Sequence, residues 1–167
     1  KVSIVTNPSS NAKLASGIAD LPALKKAGIN LAIGTDGPAR HNALDMFREM
    51  YLAAVLPKLK YEDAAVMDAA DVLKMATTGG ALAMGLPECM YVKKGQFADL
   101  ILIDLQRPNM QPVHNLVKNL VYSGSKENVK MTMVNGMVLY ENGEFFVGES
   151  PSEIYAKANE VTKRITQ

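Results

Sequence analysis

The chain has 167 residues, 48% hydrophobic and 21% charged, the length and balance of one sizeable folded domain and not of a disordered segment. A formal net charge of +1 gives no global electrostatic case for nucleic acid or an anionic membrane as partner, and no apolar run approaches the ~20 residues of a transmembrane helix. The single cysteine, Cys89, excludes an internal disulfide and fits a reducing, cytoplasmic compartment; with only two histidines to activate it, it reads as a passive thiol.

Val2 to Val5 reads as a short β-branched buried strand, and Thr6 to Asn11 as six loop-forming residues in a row. A loop carrying Gly17 follows. Leu21, Leu24 and Ala27 have helical spacing, and Gly28 stops that helix. Ile29 to Ile33 is a second buried strand. Strand, helix and strand over about 30 residues make a βαβ unit, so the two strands should be parallel.

The second strand runs into Gly34-Thr35-Asp36-Gly37, which places an acidic residue just past a strand's carboxyl end, between two glycines. In parallel α/β architectures that rim collects catalytic and metal-binding side chains. The same residues also describe an ordinary turn, with Asp bonding nearby backbone. Residue types alone leave both readings of Asp36 open.

From Ala43 to Leu56 the spacing predicts a helix with a broad apolar face of Leu44, Phe47, Met50, Tyr51, Ala54 and Val55. Asn42 is the expected cap, Asp45 suits the first turn, and Pro57 is expected to close it. A further short helix is expected over Tyr61 to Met67. Asp68 should cap Ala69 to Ala76, with Asp71 completing a capping box, and Thr77-Thr78-Gly79-Gly80 should interrupt before a last turn at Ala81 to Met84.

Beyond Pro87 the character changes. Lys93 to Gln96 is a turn, and Ala98 to Asp104 is a strand too apolar to face solvent on either side. Val129 to Val134, Asn135-Gly136 and Met137 to Tyr140 form a hairpin signal, with Asn142-Gly143 a second turn before Phe145 to Val147. Pro151 to Ile165 is a closing helix capped by Ser150. The expected layout is residues 1–86 as an α/β part, 87–150 as a β-rich part and 151–167 as a terminal helix. The chain opens on Lys1 rather than Met, and strand residues follow at once, as in a piece that begins inside a fold.

Several ordered motifs resemble one family. Asn7-Pro8-Ser9-Ser10-Asn11-Ala12-Lys13-Leu14-Ala15-Ser16-Gly17, Gly34-Thr35-Asp36-Gly37 and Leu44-Asp45-Met46-Phe47-Arg48-Glu49-Met50 look like the amidohydrolase superfamily. The branch they resemble most is that of the 5′-methylthioadenosine/S-adenosylhomocysteine deaminases and chlorohydrolase-like enzymes. Lys94-Gly95-Gln96-Phe97-Ala98-Asp99-Leu100-Ile101 resembles the family's return into a small β-domain, and Val134-Asn135-Gly136 its closing hairpin.

The resemblance implies α/β architecture, a metal-dependent hydrolase on a (β/α)8 barrel with a composite β-sandwich. Val2–Val5 and Leu31–Ile33 then correspond to the last two barrel strands. Asp36 falls on the family's metal-ligand aspartate, which is also its catalytic acid/base, and the metal is zinc, with iron or manganese as alternatives. The family's His-x-His and its further metal-site residues have no counterpart in this chain. The expectation is therefore a fragment that alone binds no catalytic metal tightly and turns nothing over. Its exposed barrel edges should drive self-association.

The implied substrate is a purine nucleoside of the methylthioadenosine class. Another ring (guanine, cytosine or a chlorinated triazine) and a non-catalytic homologue are the alternatives. Two departures stand out. Thr6 replaces a common His, and Pro38-Ala39-Arg40-His41-Asn42 replaces Ala-Ala-Ser-Asn-Asn. Arg40, at a position that faces substrate in the family pattern, is a candidate substrate-binding residue for an anionic group. His41 is expected to be a solvated loop histidine, and His114 a structural one near a helix start.

Overall fold

The computed structural model describes residues 2–166; Lys1 and Gln167, the outer ends of the expected 1–86 and 151–167 segments, lie outside the described residues. Strand β1 (Ser3–Thr6) pairs in parallel with β2 (Asn30–Ile33), Ser3 opposite Asn30 and Thr6 opposite Ile33. A parallel pair needs a crossover, and it contains helix α2 (Leu21–Lys26), capped by Asp20 accepting from the Ala23 N–H at 3.2 Å. Gly28 follows at φ +71°, as the helix stop requires.

The crossover also contains a helix where a loop is expected. Pro8–Lys13 is α1, with Pro8 in its first turn, where the missing N–H costs nothing and the fixed φ is already helical. Ser and Asn favour loops only when their side chains capture local backbone. Here Ser10 bonds a distant carboxylate instead, and the backbone stays helical.

Helix α3 (Pro38–His41) is a single turn, ended by Asn42 in the left-handed region at φ +67°. The long helix α4 runs Met46–Tyr61, later at both ends than the spacing predicts. Asp45, not Asn42, is the cap, accepting from the N–H groups of Phe47 (3.0 Å) and Arg48 (3.3 Å). Pro57 lies inside α4 rather than closing it, and is fully buried. Tyr61 to Met67 does not form the expected helix beyond its first residue. Lys58 Nζ takes the carbonyls of Ala64 (2.6 Å) and Val66 (2.9 Å), and Asp63 accepts from Ala65 N–H, so turns win.

Helix α5 (Ala69–Ala76) is capped by Asp68, which accepts from Ala70 N–H at 2.8 Å; Asp71 pairs with Lys25 of α2 instead of completing a box. The break before α6 (Thr78–Met84) narrows to Thr77 alone. Helices α4 and α5, together with β2, enclose a core of Leu31, Ile33, Phe47, Met50, Val72 and Met75. Helix α7 (Leu116–Tyr122), capped by Asn115 on Lys118 N–H, adds Val121 to that core, so the two halves of the chain share it.

The second half carries an antiparallel sheet in the order β3 (Leu100–Ile103), β4 (Val129–Val134), β5 (Met137–Glu141) and β6 (Glu144–Phe145). Asn135 and Gly136 are both left-handed, at φ +49° and +78°, as a type I′ hairpin turn demands. The terminal helix α8 (Pro151–Ile165) has the expected Ser150 cap, with Glu153 closing a capping box. Contrary to expectation, β3 is not covered on both faces: Ile101 is 46% and Leu102 54% exposed. Among the described residues no layer lies against those side chains. No helix of the described residues is long and apolar enough to cross a membrane.

Candidate functional site

The carboxyl ends of β1 and β2 carry the site. Gly34 N–H donates to the Thr6 carbonyl at 2.9 Å, extending the ladder one residue past β2. A Cβ at Gly34 would come within 2.6 Å of Asn7 Oδ1 and 3.2 Å of Val5 Cγ1, so those two side chains would have to shift to admit one. Two residues on, Asp36 adopts φ +57°, a left-handed conformation that Asp tolerates better than most residues.

The Asp36 carboxylate is held at both oxygens. Ser10 Oγ on α1 donates to Oδ2 at 2.7 Å, and the Gly37 N–H donates to Oδ1 at 2.7 Å. The Gly37 bond is what a turn aspartate makes; the Ser10 bond, across 26 residues, is not. Together, Ser10 first, they hold the Asp36 carboxyl below the usual carboxylate range, with the Arg40 charge a smaller contribution. The group is exposed, anionic at neutral pH and oriented.

Asp20, Asp99, Asp104 and Glu153 are lowered in the same direction by hydrogen bonds. A carboxyl depressed in the folded state binds fewer protons than in the unfolded chain. Its stabilisation is therefore complete above the ordinary value and is lost as pH falls through the folded one. Urea unfolding is expected to give a flat midpoint from about pH 7 to 5 and a falling one below about pH 4.

Arg40 is exposed and makes no ion pair among the described residues. His114 is exposed and precedes α7 closely, where expected. Cys89 Sγ donates to Asp99 Oδ2 at 2.9 Å, and that carboxylate pushes the thiol pKa up. Cys89 is therefore expected to react with iodoacetamide at neutral pH more slowly than free cysteine, and Asp99→Asn to speed the reaction severalfold. Mass-spectrometric labelling rates check both.

His41 corrects its expectation. It is 3% exposed, not solvated, and its Nε2 lies 2.6 Å from Oε1 of Glu49, which is fully buried. His41 Nδ1 accepts from the N–H groups of Ala43 (3.2 Å) and Leu44 (2.7 Å). With Nδ1 an acceptor, Nε2 carries the proton and donates to Glu49. The other Glu49 oxygen, Oε2, accepts from Ser9 N–H at 3.0 Å. Sequence reasoning missed Glu49, Ser9 and Ser10. The available signal was a carboxylate on the apolar face of α4, four residues before the buried Ala53.

Among the described residues no three of His, Cys, Asp and Glu come together as a metal site. Asp36 alone fits as one oxygen ligand. Each of its oxygens receives one hydrogen bond and keeps a further lone-pair direction, and nothing buries the group.

Residues 1–139 match the description "Amidohydrolase family". A 5-methylthioadenosine/S-adenosylhomocysteine deaminase of Haloquadratum walsbyi is 49% identical over 142 residues, which are 85% of this chain and 32% of that protein. An adenosine deaminase from Xanthomonas campestris, solved with bound zinc, superposes with a TM-score of 0.93 at 38% identity over 98% of this chain and 37% of its own. An atrazine chlorohydrolase from Arthrobacter aurescens, complexed with zinc, superposes with a TM-score of 0.84 at 25% identity over 95% of this chain and 35% of its own. The chain thus spans about a third of the length of the curated relatives it matches.

Proposed function

The chain belongs to the amidohydrolase family, and we propose that it supplies one carboxylate of a metal centre for hydrolytic deamination of an adenine-type nucleoside. The observation that carries the reading is Asp36, anionic and held at both oxygens, just past the carboxyl end of a parallel strand. The substrate class follows the names of the similar deaminases. In this reading residues 1–86 are the last two strand–helix units of a (β/α)8 barrel. Residues 87–150 are part of a composite β-sandwich, and 151–167 a terminal helix. The exposed apolar side chains of Val5, Ile101 and Leu102 suit faces covered by the remaining two thirds of a relative's length, or by self-association.

A divalent metal held there, zinc in the first instance, would supply hydroxide at neutral pH by lowering the pKa of bound water to ~7. Asp36 gives one carboxylate oxygen as ligand. As general base it would take a proton from the attacking water, and as general acid return it to the leaving amine, so that the ring carbon gains the water's hydroxyl as the C–N bond breaks and ammonia leaves. Its hydrogen bonds to Ser10 and Gly37 keep it ionised and aimed while it does so. Arg40, exposed and without an ion pair among the described residues, is the residue to pair an anionic group on the ligand.

The likeness to an atrazine chlorohydrolase supports a second reading, the same hydrolytic chemistry on another ring. The two separate in one assay: an enzyme of the relatives' full length containing these residues, loaded with zinc, is offered methylthioadenosine, S-adenosylhomocysteine, guanine, cytosine and chlorinated triazines. Ammonia release from the adenosine analogues is expected. Turnover of another ring alone would overturn the first reading, and turnover of none would leave a non-catalytic homologue.

A further inference from the structure

Glu49 is a fully buried carboxylate on the apolar face of α4, where a methionine or leucine would fill the space without desolvating a charge. Its surroundings explain what it does there. Oε2 receives the backbone N–H of Ser9, at the start of α1, and Oε1 receives Nε2–H of His41, the last residue of α3. Ser10, next to Ser9, donates to Asp36, and α3 is the segment that leaves Asp36 through Gly37. We propose that Glu49 is a positioning residue for Asp36: its two oxygens lock α1 to α3 and thereby hold the Ser10 hydroxyl on the Asp36 carboxylate. The inference deepens the reading of Asp36 as the functional carboxylate and rests on it.

The geometry accounts for the strained backbone nearby. Asp36, Asn42 and Leu44 take φ of +57°, +67° and +47°, a cluster of left-handed non-glycine residues within nine positions. His41 Nδ1, by accepting from the Ala43 and Leu44 N–H groups, holds the second half of that cluster, and Glu49 holds His41. The reference point is α4, sixteen residues long and embedded in the core through Phe47, Met50 and Ala54. Both sides of Asp36 are thus registered against a long helix embedded in the core.

Glutamine cannot replace Glu49 here. Both carboxylate oxygens face N–H donors, and the tautomer of His41 is fixed by its Nδ1 contacts. The side-chain amide of a Glu49→Gln variant would meet one of the two donors with its own NH2, so one arm of the lock must open. The test reads Asp36 directly, without metal or turnover. In the 167-residue chain, the Asp36 13Cγ and Gly37 amide resonances are recorded at pH 7 for the parent, Glu49→Gln, Ser10→Ala and the double variant.

Positioning predicts that Glu49→Gln moves both resonances in the direction Ser10→Ala moves them, and that the double variant adds little to Ser10→Ala. If Glu49→Gln lowers Tm but leaves both resonances at their parent positions, Glu49 is only structural and the proposal fails. Should Glu49→Gln not fold, His41→Leu removes the donor to Oε1 and opens that arm alone, and an unmoved Gly37 amide there overturns it equally. Absence of deaminase activity in a longer enzyme would sink the functional reading of Asp36 without touching these spectra, so the two failures are distinguishable.

Discussion

Gly79→Ala is expected to destabilise the chain by about 2–3 kcal/mol, against the ordinary preference of helices for alanine. Gly79 lies in α6, where Ala is favoured over Gly by roughly 1 kcal/mol in an exposed helix interior. Its Cβ, however, would come within 2.1 Å of the Leu31 carbonyl oxygen on β2 and 3.1 Å of the Lys74 carbonyl. Both are backbone atoms of core elements, so neither can swing away. Helix α6 must lift from β2, and the bond from Asn30 Nδ2 to the Gly79 carbonyl (3.0 Å) goes with it. Gly80→Ala is the control, since the nearest atom to its Cβ is the Met75 carbonyl at 3.8 Å. Urea unfolding should show a lower midpoint for Gly79→Ala and an unchanged or raised one for Gly80→Ala. Equal stability of the two variants would contradict the close packing of α6 on β2.

In an enzyme of the relatives' full length containing these residues, the proposed role predicts that Asp36→Asn lowers turnover by about 10²–10⁴-fold, the range of a lost acid/base group. It should leave the fold of these residues in place. Asparagine can still accept from Gly37 N–H, and the Ser10 hydroxyl can rotate to accept from its amide, so the local geometry survives while the charge does not. The expected signature is therefore a loss of zinc occupancy or of kcat with a Tm close to the parent's. Unchanged ammonia release would refute the assignment of Asp36. A Tm collapse would mean that the carboxylate serves the turn rather than a ligand.

The elements legible in the sequence are those with strong local chemistry. Asn135-Gly136 announces its hairpin because both residues tolerate φ > 0, and Ser150 with Pro151 announces α8 to the residue. Motif resemblance picked out the branch of relatives. What stayed hidden depends on contacts far apart in the chain. The helix α1 looks like a loop because serines and asparagines usually capture local backbone, whereas here the distant Asp36 takes the Ser10 hydroxyl and the distant Glu49 takes the Ser9 N–H at the helix start.

Pro57 reads as a terminator because propensity counts its missing N–H, whereas burial among the core helices carries α4 through it. His41 looks solvated because its partner lies on the next helix, on a face that pattern reading assigns to apolar packing. The strand Ala98 to Asp104 is as apolar as a covered strand should be, yet Ile101 and Leu102 are exposed in the 167-residue chain.

The measurement that most directly tests the central claim is an anomalous-diffraction structure, at the zinc edge, of an enzyme of the relatives' full length containing these residues. An Asp36 carboxylate oxygen about 2.0–2.2 Å from zinc, with Ser10 Oγ still bonded to the carboxylate, is the predicted result. Zinc bound with Asp36 outside its coordination shell would contradict it.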